Sequence, residues 1–135
     1  MLKAVIVDAS ALSRDLLNTV LTDGGYSVVG QTHTPAQGFA LLQKHHPQLM
    51  CVALEQIEDA FGIVEQIRAQ FPKTLIFMVS GAIDAAMLQS AMARGVNGFI
   101  VKPFKADAVL KTIRNTVLAM VKRQQEAAQK VGDAE

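Results

Sequence analysis

The sequence predicts an α/β fold, a doubly wound parallel sheet with helices on both faces. Short runs of β-branched and aliphatic residues alternate with amphipathic helical segments along the chain. The strand-like runs are apolar at nearly every position, as in strands covered on both sides rather than one. Glycine or proline separates most of the units. Five strands alternating with five helices imply right-handed crossovers and therefore a parallel sheet.

Residues 2–7 (LKAVIV) form the first strand. Ser10 is placed to cap a helix whose apolar stripe is Leu12, Leu16, Leu17, Val20 and Leu21, and Gly24-Gly25 ends it. "YSVVGQT" is a shorter second strand, after which Thr34-Pro35 opens a helix with Phe39, Leu41 and Leu42 inward. Pro47 introduces the third strand, "LMCVALEQ" at 49–56, and a helix over 58–70 carries Phe61, Val64 and Ile67. Pro72 breaks that helix before "TLIFMVS". A fourth helix over 84–94 closes at Gly95, "GFIVKPF" is the fifth strand, and the last helix starts near Lys105 with Val109, Leu110, Ile113, Val117 and Met120 inward.

The bulk numbers narrow the function classes. A length of 135 residues, half of them hydrophobic and 19% charged, suits one folded domain rather than a disordered chain. Residues 1–121 are expected to form it, with 122–135 as the extended end of the last helix or a flexible tail. A net charge of +1 gives no pull toward nucleic acid or an anionic membrane, and Lys122-Arg123 reads as a solvated helix face. The single cysteine, Cys51, sits in an apolar run and reads as a small buried hydrophobe. Next to one another, His45 and His46 lack a third ligand at close spacing and are expected to be solvated. No run approaches the length of a membrane span and no secretory signal is present, so a cytoplasmic protein is expected.

In an open doubly wound sheet, chemistry gathers outside the carboxyl ends of the strands. Asp8 ends the first run, Ser80 the fourth and Lys102 the fifth. A carboxylate, a hydroxyl and an ammonium at one edge suit a phosphoryl group and its metal. Each residue also has a structural reading: Asp8 paired with Lys102, Ser80 as a turn residue, Phe99 as core. The third strand breaks the pattern, ending in Ala53 and Leu54.

The motifs "VIVDAS" with a following arginine, "MVSGA" and "RGVNGFIVKPF" resemble, over about residues 1–120, the receiver domain of bacterial two-component response regulators. The resemblance implies a flavodoxin-like fold with strand order 2-1-3-4-5. It implies an aspartate at the end of the third strand that takes a phosphoryl group from a histidine kinase. It also implies an acid pair and a main-chain carbonyl that hold Mg²⁺, a Ser or Thr and a Lys that contact the phosphoryl oxygens, and a cis Lys102-Pro103 bond. Position by position, Lys102 matches the lysine, Ser80 the switch hydroxyl and Phe99 the switch aromatic. Asp8 fills one place of the acid pair, and Ala9 stands in the other. Six residues on from Pro47, the acceptor position falls on Ala53, or on Val52 if the register shifts by one. The loop "LEQIEDAFG" departs from the usual Met-Pro…Asp-Gly pattern and is one residue shorter.

These losses decide the sequence reading. Mg²⁺ demands near-octahedral oxygen ligation, so Asp8 alone should hold it weakly or not at all. Without the acceptor oxygen no acyl phosphate forms at that place. Asp8 and Lys102 are expected to neutralise each other, and Lys102→Ala to alter stability modestly if the pair is partly exposed. The expected function is a degenerate receiver (a pseudo-receiver), not an enzyme and without a cofactor, that works by phosphorylation-independent protein–protein contact. Its expected partner surface is the face of helix 4, strand 5 and helix 5, with a homodimer as a further expectation. The alternative is a true phosphoacceptor that uses Glu55 or Asp59. A nucleotide binder is disfavoured, since "DASALS" after the first strand contains no glycine.

Overall fold

A computed structural model describes residues 2–53, 60–82 and 84–133. Five parallel strands lie in the order β2-β1-β3-β4-β5. The chain runs β1 (Lys3–Val7), α1 (Ala11–Asp23), β2 (Ser27–Thr32), α2 (Pro35–His45), β3 (Leu49–Ala53), α3 (Ala60–Gln70), β4 (Leu75–Ser80), α4 (Ala85–Arg94), β5 (Gly98–Val101) and α5 (Ala106–Asp133). This is the flavodoxin-like order, with the switch between β1 and β3 where strand succession reverses.

Strand alternation divides the core into two layers. Ala4, Ile6, Cys51, Ala53, Phe77, Val79 and Ile100 meet Leu17 and Leu21 of α1 and Val109 and Ile113 of α5. Val5, Val7, Met50, Val52, Ile76 and Met78 meet Leu42 of α2, Val64 and Ile67 of α3 and Ala91 of α4. β3 and β4 are buried along their whole length, which is why their sequences are apolar at every step except the terminal Ser80.

Helix ends follow local chemistry. Ser10 Oγ accepts from Ser13 N at 3.3 Å and caps α1, Thr34 caps α2, and Asp84 Oδ1 accepts from Met87 N at 2.7 Å to cap α4. Gly95 ends α4 at φ 116°, a conformation that glycine alone adopts freely.

Two expectations need correction. Leu12 and Leu16 are exposed rather than inward; each precedes a core position (Leu17, Leu21) by five residues, which leaves it well round the helix from the buried line. The fifth strand stops at Val101 instead of running to Phe104, because its neighbour β4 ends at Ser80, the residue paired with Val101. The Lys102-Pro103 peptide is cis.

Arg68 binds the opposite edge of the sheet. Its Nη1 donates to Pro72 O and Thr74 O, each at 2.9 Å. Its Nη2 donates to Gly95 O at 2.7 Å and to Asn97 Oδ1 at 2.5 Å. The end of α3 is thereby tied to the entries of β4 and β5. Desolvation lowers the guanidinium pKa from its ordinary value.

Candidate functional site

The site edge is set by backbone pairing that continues past the strands. Asp8 N donates to Thr32 O at 3.0 Å, one step beyond the Val7–Thr32 pair. Lys102 N donates to Ser80 O at 3.0 Å, one step beyond the Ser80–Val101 pair. Val7 pairs with Val52, so Ala53 is the β3 residue level with Asp8. Val52 belongs to the layer under α2 to α4, whereas Ala53 belongs with Ile6 and Ile100 to the layer under α1 and α5. By alternation Asp8 and Lys102 emerge on that same side.

The ends of β1 and β5 are joined by an ion pair. Lys102 Nζ lies 3.0 Å from Asp8 Oδ2, with side-chain exposures of 18% and 4%. β3 and β4 lie between these strands, so the lysine reaches across both strand ends to meet the carboxylate. Of the two crossed strands, β3 ends in a methyl group, that of Ala53. The other carboxylate oxygen, Oδ1, accepts from Ser10 N at 2.8 Å. Arg14 Nη1 donates to the main-chain carbonyl of Asp8 at 2.6 Å, a partner the sequence does not signal. The pair is mostly buried, so the modest cost expected for an exposed pair does not apply.

Ser80 is buried at the end of β4. Its hydroxyl donates to Ala82 O at 3.3 Å and accepts from Ala82 N at 3.2 Å, a local turn. Phe99 pairs with Met78 and is half-buried against the layer that includes Met87. It also borders a groove of about 430 Å³ that Val101, Pro103, Ala108 and Thr112 help to line. Met92 of α4 and Val101 of β5 are exposed. Glu55 and Asp59 lie outside the described residues. Cys51 is fully buried, and burial pushes its thiol up to about 12.

Chemically, Asp8 contributes one carboxylate, and both its oxygens are already engaged. Ala9 and Ala53 offer no side-chain oxygen. Among the described residues no three His, Cys, Asp or Glu side chains come together around a cation position. Among the described residues this donor set does not supply the several oxygens at short range that a Mg²⁺ site needs to offset dehydration.

The response regulator receiver domain model matches residues 4–114. The chain belongs to the receiver domain family. Chemotaxis protein CheY of Bacillus subtilis (strain 168) is 30% identical over 116 residues, 85% of this chain and 97% of that protein. The structure of Vibrio cholerae chemotaxis protein CheY4 superposes with a TM-score of 0.78 at 27% identity, covering 86% of this chain and 98% of the other. NtrX from Brucella abortus gives a TM-score of 0.81 at 27% identity, over 96% of this chain and 30% of that one. This receiver is thus a module of two-component signalling. No helix among its described residues is long and apolar enough to cross a membrane.

Proposed function

We propose that this receiver is a degenerate one, which cannot be phosphorylated at the usual place and signals through phosphorylation-independent protein–protein contact. The observation that carries the reading is Ala53, level with Asp8 where a receiver's acceptor aspartate belongs, with Lys102 reaching over to Asp8. An alkyl group cannot accept a phosphoryl group. The buried ion pair holds the charge balance that metal and phosphate would otherwise supply. Mg²⁺ binding is therefore weak or absent, no cofactor is needed, and the module is not an enzyme. Residues 1–121 act as the receiver unit, in the cytoplasm.

The contact surface is the α4–β5–α5 face, where Met92 of α4 is exposed and the exposed Val101 helps to line the groove beside Phe99. Methionine adapts its shape to a partner, and exposed apolar side chains beside a groove favour docking. A homodimer is the second contact in this reading.

Acetyl phosphate with Mg²⁺, followed by intact mass, tests the proposal. The natural sequence should gain no phosphoryl group, and Ala9→Asp with Ala53→Asp should gain one. A phosphoryl group on the natural chain, mapped to Glu55 or Asp59, would overturn it.

A further inference from the structure

The amino edge of the sheet, opposite to Asp8 and Lys102, carries a groove of its own. Its volume is about 410 Å³, and it lies between the loops that enter β3 and β4, where His46, Pro47, Gln48, Phe71, Pro72 and Lys73 help to line it. His46 closes α2 in the left-handed conformation at φ 46°. Its ring centroid stands 6.2 Å from that of half-buried Phe71, which gives the groove an aromatic wall.

The charge around it is of one sign. Residues 24–53 and 66–82, which supply both loops, contain no Asp or Glu. Lys73 lies on the rim. Lys3, exposed at the start of β1, is tied to Gln48: Lys3 N donates to Gln48 Oε1 at 2.8 Å, and Gln48 N donates to Lys3 O at 3.1 Å. By alternation Lys3 emerges on the side of Val5 and Val7, which is the side of α2 and α3. Arg68, bonded to Pro72 O and Thr74 O, adds a third cation. Glu65 of α3 is engaged by Arg94 at 3.3 Å. The carboxyl ends of α2 and α3 carry about half a negative charge each, so the helix dipoles offset about one of the three cations.

The donors decide which kind of anion fits. The N–H groups of His46, Gln48, Phe71 and Thr74 donate to main-chain carbonyls, and Pro47 and Pro72 have none. A compact phosphate is cradled by several main-chain N–H groups, and these loops do not offer them. They offer two flexible ammonium groups instead. Lys3 opens β1 and Lys73 precedes β4, with β3 between the two strands, so their main chains stand about 10 Å apart at the usual strand spacing. Two carboxylates three positions apart on an extended peptide span about the same distance.

We infer that this groove binds an extended acidic segment of a partner protein, with an apolar side chain between two carboxylates. The apolar group packs on His46 and Phe71, and the carboxylates meet Lys3 and Lys73. This surface is separate from the α4–β5–α5 face, and its role holds whether or not the receiver accepts a phosphoryl group.

Amide chemical shifts and fluorescence anisotropy of the full chain with a labelled peptide containing Glu-Phe-Ser-Glu test this. Binding should be saturable, with shifts confined to residues 3, 46–48 and 70–75, and several-fold weaker when serine replaces the peptide's phenylalanine. Lys3→Glu with Lys73→Glu should weaken binding about tenfold, with the thermal transition retained because both side chains are exposed. Lys111→Glu with Lys122→Glu makes the same change in net charge on exposed positions of α5 and should leave binding unchanged. No binding, an equal loss in both double variants, or equal binding of the serine peptide overturns the inference. A single-stranded oligonucleotide or a phosphatidylserine vesicle that binds more tightly than the peptide through the same lysines also overturns it, by naming another occupant. So does peptide binding that falls as the protein's own concentration rises, since a second copy would then cover the groove.

Discussion

Two sheltered cations stand at opposite edges of the same sheet, and they are satisfied differently. At the carboxyl edge Lys102 meets the carboxylate of Asp8. At the amino edge Arg68 meets no carboxylate among its hydrogen-bond partners, only three main-chain carbonyls and the Asn97 side-chain oxygen. The planar five-donor guanidinium can be shared among neutral acceptors around one turn, so it works as a clamp on the backbone. An ammonium on a flexible stem is a point charge, and a buried carboxylate is a suitable counterpart. Arg68 is therefore explained by the fold. Lys102 sits at the sheet edge where a receiver's chemistry gathers and is held there by Asp8.

The comparison breaks or sharpens under substitution. Lys102→Ala should have the largest effect, about 3 kcal/mol in urea unfolding, because it leaves a buried carboxylate unpaired. A cost below about 1 kcal/mol would mean that water replaces the ammonium and that the edge is open. Arg68→Ala should cost about 2 kcal/mol, since it strips charge-assisted bonds but strands only neutral acceptors; a loss as large as that for Lys102→Ala would erase the distinction. Gly95→Ala should cost about 1 kcal/mol. Its φ of 116° strains any other residue, and an added Cβ would stand 3.0 Å from Arg68 Nε. Combining Gly95→Ala with Arg68→Ala should then be less than additive, because the shared contact is lost only once. Asp8→Asn with Lys102→Met should change stability least, since replacing a whole buried pair is close to neutral.

The two edges also differed in how well they could be foreseen from the residues. The strands were legible because burial on both faces makes them apolar at each step, as Met50, Cys51 and Val52 show. The meeting of Asp8 and Lys102 was legible because both are charged side chains at the same edge of an alternating α/β chain. Arg68 was not, since three of its four acceptors are main-chain carbonyls, which no residue identity announces. Leu12 and Leu16 misled because a leucine at near-helical spacing looks inward until the position of the core line is known. Phe104 looks like strand for its apolar character, but β4 ends level with Val101 and leaves it no ladder partner. Glu55 and Asp59 lie outside the described residues, so the substitute-carboxylate reading meets no structural observation.

The length of α5 has a mechanical consequence. Beyond Met120 the helix continues for about 20 Å at 1.5 Å per residue. Pivoting it by some 10° at its base would sweep its far end through about 3 Å, roughly the reach of one hydrogen bond. A small repacking of Val117 or Met120 against the sheet would therefore be read out, enlarged, at a place far from Asp8.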